Sequence, residues 1–430
     1  MGSRLIWRRS ATAVGLYTAT LLGLLGGVVA FRSLGIEGFG LLATVLVATG
    51  LFQSLLDLTV EESLTKYGFR YVTAADWGRL RRLFRRAVEL KLAGGLLAGL
   101  ALAAFAPFAD DVFGSSELLT PLLLAALLPL LQSPENVAAT ALLLRGRYDL
   151  RAFFQVVSMG LRLAGIAIGA QFGVAEAIGG IVVAQAVATV AVGLAGRLAF
   201  RRFPPARAAS LAADASGIRS FLLQSSLATG LLSVRNALAP FLLGAVSGTT
   251  QVGIFKLAQA PQTGFGSLSS PIRLILLTEQ TRDWERGDKE TVLAGVRRYT
   301  LIASALLVVA VPLFWWLMPD LVRLVFGADA APAVEPARVM LLAASAQLVV
   351  GWSKSFPVSI GRPNLRLATH GLETLVLLPL VIVLGARWDA TGAAVAVLIA
   401  SIVFALHWAV LFVRIARSHA PLGAAEAGAA

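Results

Sequence analysis

The segment "LLSVRNALAP", 231–240, places Arg235 and Asn236 in the middle of an apolar run that extends from about residue 220 to 244. Two further cations, Arg162 and Lys256, sit inside runs of the same kind. A guanidinium or ammonium in hydrocarbon costs about 2.5–3.5 kcal/mol on insertion scales, so such groups normally face a bundle interior or a wet cavity. The chemistry these residues offer is electrostatic capture of a phosphate or carboxylate, assisted by hydrogen bonds. At 100° per residue, Gln155, Ser158 and Arg162 share a helical face that Gly165 and Gly169 continue, and Lys256, Gln259, Thr263 and Ser270 share another. Near Arg235, one face carries Ser225, Thr229, Ser233 and Asn236, and the adjacent face carries Gln224, Ala228, Arg235 and Ala239. Stripes of Ser, Thr and Gly also pack helices together, and a lone cation is often neutralised by a carboxylate. Glu135 and Glu373 are the acids available for that. Arg235 is therefore expected to line a cavity, Arg162 to bind ligand or pair with Glu135, and Lys256 to line the cavity or snorkel outward. His370 and Glu373, at i and i+3, form a proton-coupled pair or a cytoplasmic-end salt bridge, and His407 is a packed or interfacial histidine.

Other chemistries have little to work with. The absence of Cys rules out disulfides, thiolate nucleophiles and Cys-based metal sites, and His370, His407 and His419 are the only histidines. No catalytic residue, metal or cofactor is expected. Of the 430 residues 57% are hydrophobic and 14% charged, which is too apolar for a soluble domain of this length and indicates a polytopic membrane protein. The net charge of +13 belongs with basic cytoplasmic loops and not with a nucleic-acid partner, which would need a soluble basic face.

The elements that must position these residues are all-α. Apolar stretches of span length occur at about 12–31, 39–60, 88–109, 118–141, 152–172, 177–197, 220–244, 252–272, 299–318, 338–356, 371–385 and 391–413. Runs such as "LLLAALLPLL" do not alternate, which argues against a barrel. With the N-terminus inside, 30 of the 37 Lys and Arg fall in inner loops, whereas the outer loops hold Arg32, Arg323, Arg338 and Arg387. Both termini are thus expected in the cytoplasm.

The twelve spans divide into two related halves. "RGRYDLRA", 145–152, and "IGRPNLRL", 360–367, align Gly146 with Gly361, Arg147 with Arg362 and Arg151 with Arg366; Gly38 and Gly253 lie at the same offset of 215, and Gly114 and Gly327 at 213. A tandem duplication of six spans gives parallel repeats around a central cavity. The expected organisation is an N-terminal lobe at 1–200, a cytoplasmic linker at 201–218, "RRFPPARAASLAADASG" and the next residue, and a C-terminal lobe at 219–430. Such lobes suit transport by alternating access. The outer loop at about 319–337 carries Asp320, Arg323, Asp329 and Glu335 without His, a poor basis for a membrane enzyme. Deep cations outnumber well-placed acids, and the first span has no carboxylate, so an anionic cargo fits better than a cationic drug. The stretch "RLRRLFRRAVEL", 79–90, separates Leu80, Leu83, Phe84, Ala87 and Val88 from five arginines. It reads as a helix lying on anionic lipid headgroups before the third span, or as an orientation signal alone.

The chain resembles the polysaccharide-transporter branch of the multidrug/oligosaccharidyl-lipid/polysaccharide flippase superfamily. "FRSLGIEGFG" resembles that family's Arg-x-Leu-Gly exit from the first span, "LLDLTVEESLTKY" the end of its second, "LLLRGRYDLRAF" its fourth-to-fifth loop, and "LLGAVSGTTQVGIFKLAQA" the approach to its eighth span. The resemblance implies two six-helix lobes around a cationic cavity and the flipping of an undecaprenyl-diphosphate-linked oligosaccharide across the bacterial inner membrane. It also implies polysaccharide polymerase machinery as a partner. Arg235, Arg162 and Lys256 would then hold the diphosphate or an acidic sugar, with Asn236 and Gln259 as hydrogen-bond partners and Arg32 as an outer gate or headgroup contact. Glu135, Glu373 and His370 are ion-coupling or charge-pairing candidates. Relatives often carry Asp before the seventh-span Arg, where this chain has Val234. The alternatives are an ion-coupled exporter of small amphiphiles in the same fold and a membrane glycan polymerase or ligase.

Overall fold

The computed structural model describes residues 2–362 and 364–418. His419 lies outside them, and the side chains of Thr229, Ala228 and Ser270 are likewise outside the description. Among the described residues the regular structure is entirely helical. The α-helices are α1 (Gly2–Leu56), α2 (Val60–Thr73), α3 (Trp77–Phe105), α4 (Ala109–Phe113), α5 (Leu119–Ala125), α6 (Leu127–Leu144), α7 (Tyr148–Gly169) and α8 (Val174–Arg201). They continue with α9 (Ala215–Ser247), α10 (Thr249–Ala258), α11 (Ala260–Glu285), α12 (Lys289–Phe326), α13 (Val334–Val349), α14 (Phe356–Ser359) and α15 (Asn364–Ser418).

Among the described residues seven helical stretches are long and apolar enough to cross a membrane, so the protein is a multi-pass membrane protein. Two of them are too long for one crossing. Val14–Leu56 has 43 residues and would measure about 65 Å straight, twice the roughly 30 Å hydrocarbon core. It breaks at Gly35, whose φ of 70° suits glycine, where the sequence places a loop between spans. The stretch Asn364–Arg417 breaks in the same way at Trp388 and Asp389. The expected spans at 220–244, 252–272 and 338–356 fall on α9, on α10 with α11, and on α13, which lie outside the set of seven; α13 has only 16 residues.

Several glycines that the sequence pairs across its two halves share an unusual backbone conformation. Gly35 and Gly248 share the same unusual backbone (φ 70°, ψ −175° and φ 83°, ψ 172°), at an offset of 213. Gly114 and Gly327, also 213 apart, both have positive φ, 67° and 106°, and Gly146 and Gly361 follow at 215 with φ of 66° and 73°. At this offset of 213 the residue that aligns with Gly253 is Gly40, where the sequence comparison at 215 aligned Gly38. Those two glycines also meet: a Cβ at Gly253 would stand 2.8 Å from Gly40 Cα.

The chain folds as two compact units, dividing between Lys256 and Leu257, with Val325–Ala330 joining the first. In the first unit α1 packs on α7, α7 on α8 and α8 on α6. Glycines allow the closest approach: a Cβ on Gly165 would collide with the Gly180 backbone, and one on Gly169 with that of Glu176. Pro134 interrupts α6, and carbonyls flanking the break take other donors, Pro129 O from Ser133 Oγ at 2.6 Å and Leu131 O from Thr189 Oγ1 at 2.8 Å. The stretch 79–90 is not a separate surface helix. It forms the first turns of α3, capped by Asp76, and Leu80, Leu83, Phe84 and Ala87 are buried against Leu64, Tyr67, Tyr71 and Leu144. Packing on α2 and α6 removes that face from lipid.

Part of the 201–218 segment is fastened to this unit. Asp214 accepts a hydrogen bond from Tyr71 Oη at 2.8 Å and pairs with Arg70 at 3.2 Å and Arg79 at 3.7 Å. Burial and that hydrogen bond to Asp214 hold the Tyr71 phenol well above its usual pKa range. Phe203 stacks on Trp77, and Ala209 N–H donates to Gly78 O at 3.0 Å. The second unit has its own aromatic core, in which Trp352 contacts Trp408 and Phe356 edge-on. Two side-chain bonds within it join α11, α13 and α15: Gln262 Nε2 to Gln347 Oε1 at 3.2 Å, and Gln347 Nε2 to Ser401 Oγ at 3.0 Å.

Candidate functional site

A cavity of about 520 Å3 lies within the first unit, between both halves of α1, α7, α9 and α10. Its volume comes from missing side chains: a Cβ at Gly23, Gly27 or Gly50 would stand in open space. Arg162 reaches it from α7, Lys256 from α10, and Ser233 and Asn236 from α9. None of the residues lining it is acidic. Three of the residues singled out in the sequence thus meet here, although they come from three helices. Two positive charges face an uncharged wall in a low-dielectric setting, where their attraction for an anion is much stronger than in water.

Arg235 does not line this cavity. It is half-buried beside it, with Nη2 3.4 Å from Asn236 Oδ1, so its neighbour and not the arginine presents its polar atoms to the space. The helical phase explains this, since adjacent residues point about 100° apart. Arg32 is exposed and donates from Nε to Val325 O at 3.1 Å. Gln259 belongs to the second unit, as do His370 and Glu373, which meet at 2.9 Å between Nδ1 and Oε2. The His370 ring also stacks on Phe404.

Arg162 lies on a shared wall. It also borders a polar pocket of about 250 Å3 with Gln132, Glu135, Asn136, Gln155 and Ser158. The α7 stripe therefore divides its work: the polar half lines the pocket and Gly165 and Gly169 pack on α8. No ion pair joins Arg162 to Glu135. Glu135 accepts from Gln185 Nε2 at 2.6 Å, and Gln185 also donates to Thr189 at 3.0 Å. Sequence reasoning had no means of seeing Gln185, which sits in an ordinary apolar run of α8.

A third pocket, of about 340 Å3, shares Gly50, Ser54 and Ser233 with the central cavity and carries a charge cluster that the sequence reading missed. Lys91 Nζ lies 2.7 Å from Asp57 Oδ2, 2.9 Å from Glu61 Oε1 and 3.3 Å from Leu58 O. The Lys91 side chain is 4% exposed. A signal existed: Lys91 falls inside the apolar run 88–109 and Asp57 inside 39–60. Gly94, one turn on, leaves room for the Asp57 backbone to approach α3. Thr59 N–H donates to Ser226 Oγ at 3.0 Å, tying the same corner to α9.

The sequence profile of polysaccharide biosynthesis proteins matches residues 8–272. No curated protein matches the chain significantly. Among solved structures, the fold is similar to an inward-facing multidrug resistance MATE family transporter of the MOP superfamily, with a TM-score of 0.66 and 14% identity over 98% of this chain and 100% of that one. It is similar to the lipid II flippase MurJ in an inward closed conformation, with a TM-score of 0.66 and 12% identity over 95% and 90%. A MOP superfamily transporter from Pyrococcus furiosus, described as having a binding pocket of reversed polarity, gives 0.57 and 15% over 96% of each chain. At these identities the likeness establishes a shared fold.

Proposed function

The chain belongs to the polysaccharide biosynthesis protein family, and from that premise we propose that it is a flippase for a lipid-linked oligosaccharide carrying a diphosphate. The observation that carries this reading is the central cavity with Arg162 and Lys256 on its wall and no acid among its lining residues. The diphosphate docks between these two cations, where each charge-assisted hydrogen bond contributes about 1.5–3 kcal/mol. Asn236 and Ser233 complete its shell, and Arg235 acts as a positioning residue that orients Asn236. The adjoining pocket, with Gln132, Asn136, Gln155 and Gln185, offers amide donors and acceptors suited to sugar hydroxyls.

In this reading twelve spans form two six-helix lobes, 1–200 and 219–430, with both termini cytoplasmic, and the cargo crosses the bacterial inner membrane by alternating access. The lipid carrier is undecaprenyl. The similarity to a lipid II flippase supports a lipid-linked cargo. The similarity to a multidrug transporter supports a second reading, export of small amphiphiles. The charge of the cavity separates the two, because an organic cation would enter it against two positive groups.

Complementation of a flippase-null bacterium tests the proposal. Arg162→Ala with Lys256→Ala should abolish surface glycan while the protein remains stably inserted, and Lys256→Arg should retain it. Full surface glycan from the doubly neutralised protein would overturn the assignment.

A further inference from the structure

A fourth recess of the first unit plays no part in that reading. It is a groove of about 410 Å3 between α3, α6 and α8. Arg81 and Arg85 flank it near the start of α3, and Arg197 near the end of α8, so all three stand at the end of the groove next to the basic loops. Val88 lies about 10 Å deeper than Arg81 along α3 and Gly193 about 6 Å deeper than Arg197 along α8, with Pro134 of α6 also lining the groove. The wall between is apolar, formed by Val137 and the Phe200 ring.

Arg81 is held in place, and neither it nor Arg197 is neutralised by an ion pair among the described residues. The Arg81 guanidinium rests over Phe200, 5.6 Å from the ring centroid, and its Nε is buried without a hydrogen-bond partner. Arg85 pairs with Glu89 at 3.0 Å. Two glycines on α8 divide the roles below them. A Cβ on Gly196 would run into the Ala138 backbone, so this glycine closes the α6–α8 contact. A Cβ on Gly193 would meet nothing within 4 Å, so this one leaves the groove open. Leu90, Leu194 and Leu198 are exposed around it, the composition of a surface turned toward hydrocarbon.

A cationic mouth continuous with an apolar, lipid-facing trough matches an amphiphile with a phosphate at one end and a chain at the other. Free phosphate would use only the mouth, and a neutral lipid only the trough. We propose that this groove is a binding site for one anionic phospholipid of the inner leaflet. Its phosphate sits on Arg81 and Arg197, with Arg85 at the rim, and one acyl chain lies past Val88 and Val137 toward Gly193. The site does not depend on the identity of the cargo in the central cavity.

Native mass spectrometry of the full chain, titrated with phosphatidylglycerol or phosphatidylcholine, tests this. The wild-type protein should hold one phosphatidylglycerol at least tenfold more tightly than phosphatidylcholine. Arg81→Gln with Arg197→Gln should lose that preference, and Gly193→Leu should lose the tight adduct by filling the trough. In the wild-type protein, a phosphatidylglycerol with a diazirine on its acyl chain should label α3 and α8 near Val88 and Gly193, which checks the site without any variant. Equal affinity for the two lipids overturns the proposal. So do unchanged binding in Gly193→Leu, which would leave only surface attraction, displacement of the lipid by inorganic phosphate, or labelling that avoids the groove.

Discussion

The Lys91 ammonium on α3 sits 2.7 Å from the Asp57 carboxylate that follows α1, with the two side chains 4% and 8% exposed. Glu61 closes the cluster from α2 at 2.9 Å. Removing one member of a buried pair leaves the other charged and desolvated, which costs about 3–5 kcal/mol. Lys91→Ala should therefore lower the thermal midpoint of the detergent-solubilised protein sharply. Replacing Lys91 with Met, Asp57 with Leu and Glu61 with Gln together should restore most of it.

Arg162 and Lys256 predict a distinct effect on binding. Each neutralising substitution should weaken a diphosphate-bearing lipid by about tenfold or more, the equivalent of about 1.4 kcal/mol. Arg162→Lys should recover only part of the loss, because an ammonium cannot reproduce the planar fork of a guanidinium. Fluorescence titration with a labelled polyprenyl diphosphate measures both, and equal binding by Arg162→Ala and the wild-type protein would remove Arg162 from the site.

Two glycines of α7 should respond in opposite ways. Gly165→Leu drives a side chain into the Gly180 backbone and should separate α7 from α8, with a large drop in folded yield. Gly160 has open space beyond it, so Gly160→Ala should be neutral or stabilise the helix by up to about 1 kcal/mol. Thermal midpoints of the two variants make the comparison.

Asp214 should control access to the segment after α8. It is the common partner of Arg70, Arg79 and Tyr71. Asp214→Ala should release that corner and raise the rate of tryptic cleavage at Arg201, Arg202 and Arg207, while leaving the far half of α12 uncut. An unchanged cleavage rate would mean that Phe203 stacking and the Ala209 to Gly78 bond suffice.

Much of the helical plan was legible, and particular residues show why. Apolar runs of span length mark α3, α6, α7, α8 and α12, because the cost of exposing backbone in hydrocarbon leaves little alternative to a helix. Gly35 could be read as a loop between two runs, since "RSLGIEG" interrupts them. The stripe of Gln155, Ser158 and Arg162 was readable from the 3.6-residue period alone, and all three share one pocket. The same period failed at Arg235, where two adjacent faces were both polar and phase could not choose between them. It failed again at 79–90, where an amphipathic pattern fits a lipid surface and a protein neighbour equally well.

By itself the sequence determined the all-helical membrane class, the recurrence of glycines at offsets of 213 and 215, and the presence of cations inside apolar runs. These follow from composition and period, which act along one helix at a time. Only the tertiary structure decided that Asn236 and not Arg235 faces the cavity with Arg162 and Lys256, that Glu135 goes to Gln185, and that Lys91 is clamped by Asp57 and Glu61. Those outcomes depend on which helices approach within hydrogen-bond reach of one another, and distance between chain segments is set by packing, where a glycine in contact can matter more than a charge in sequence.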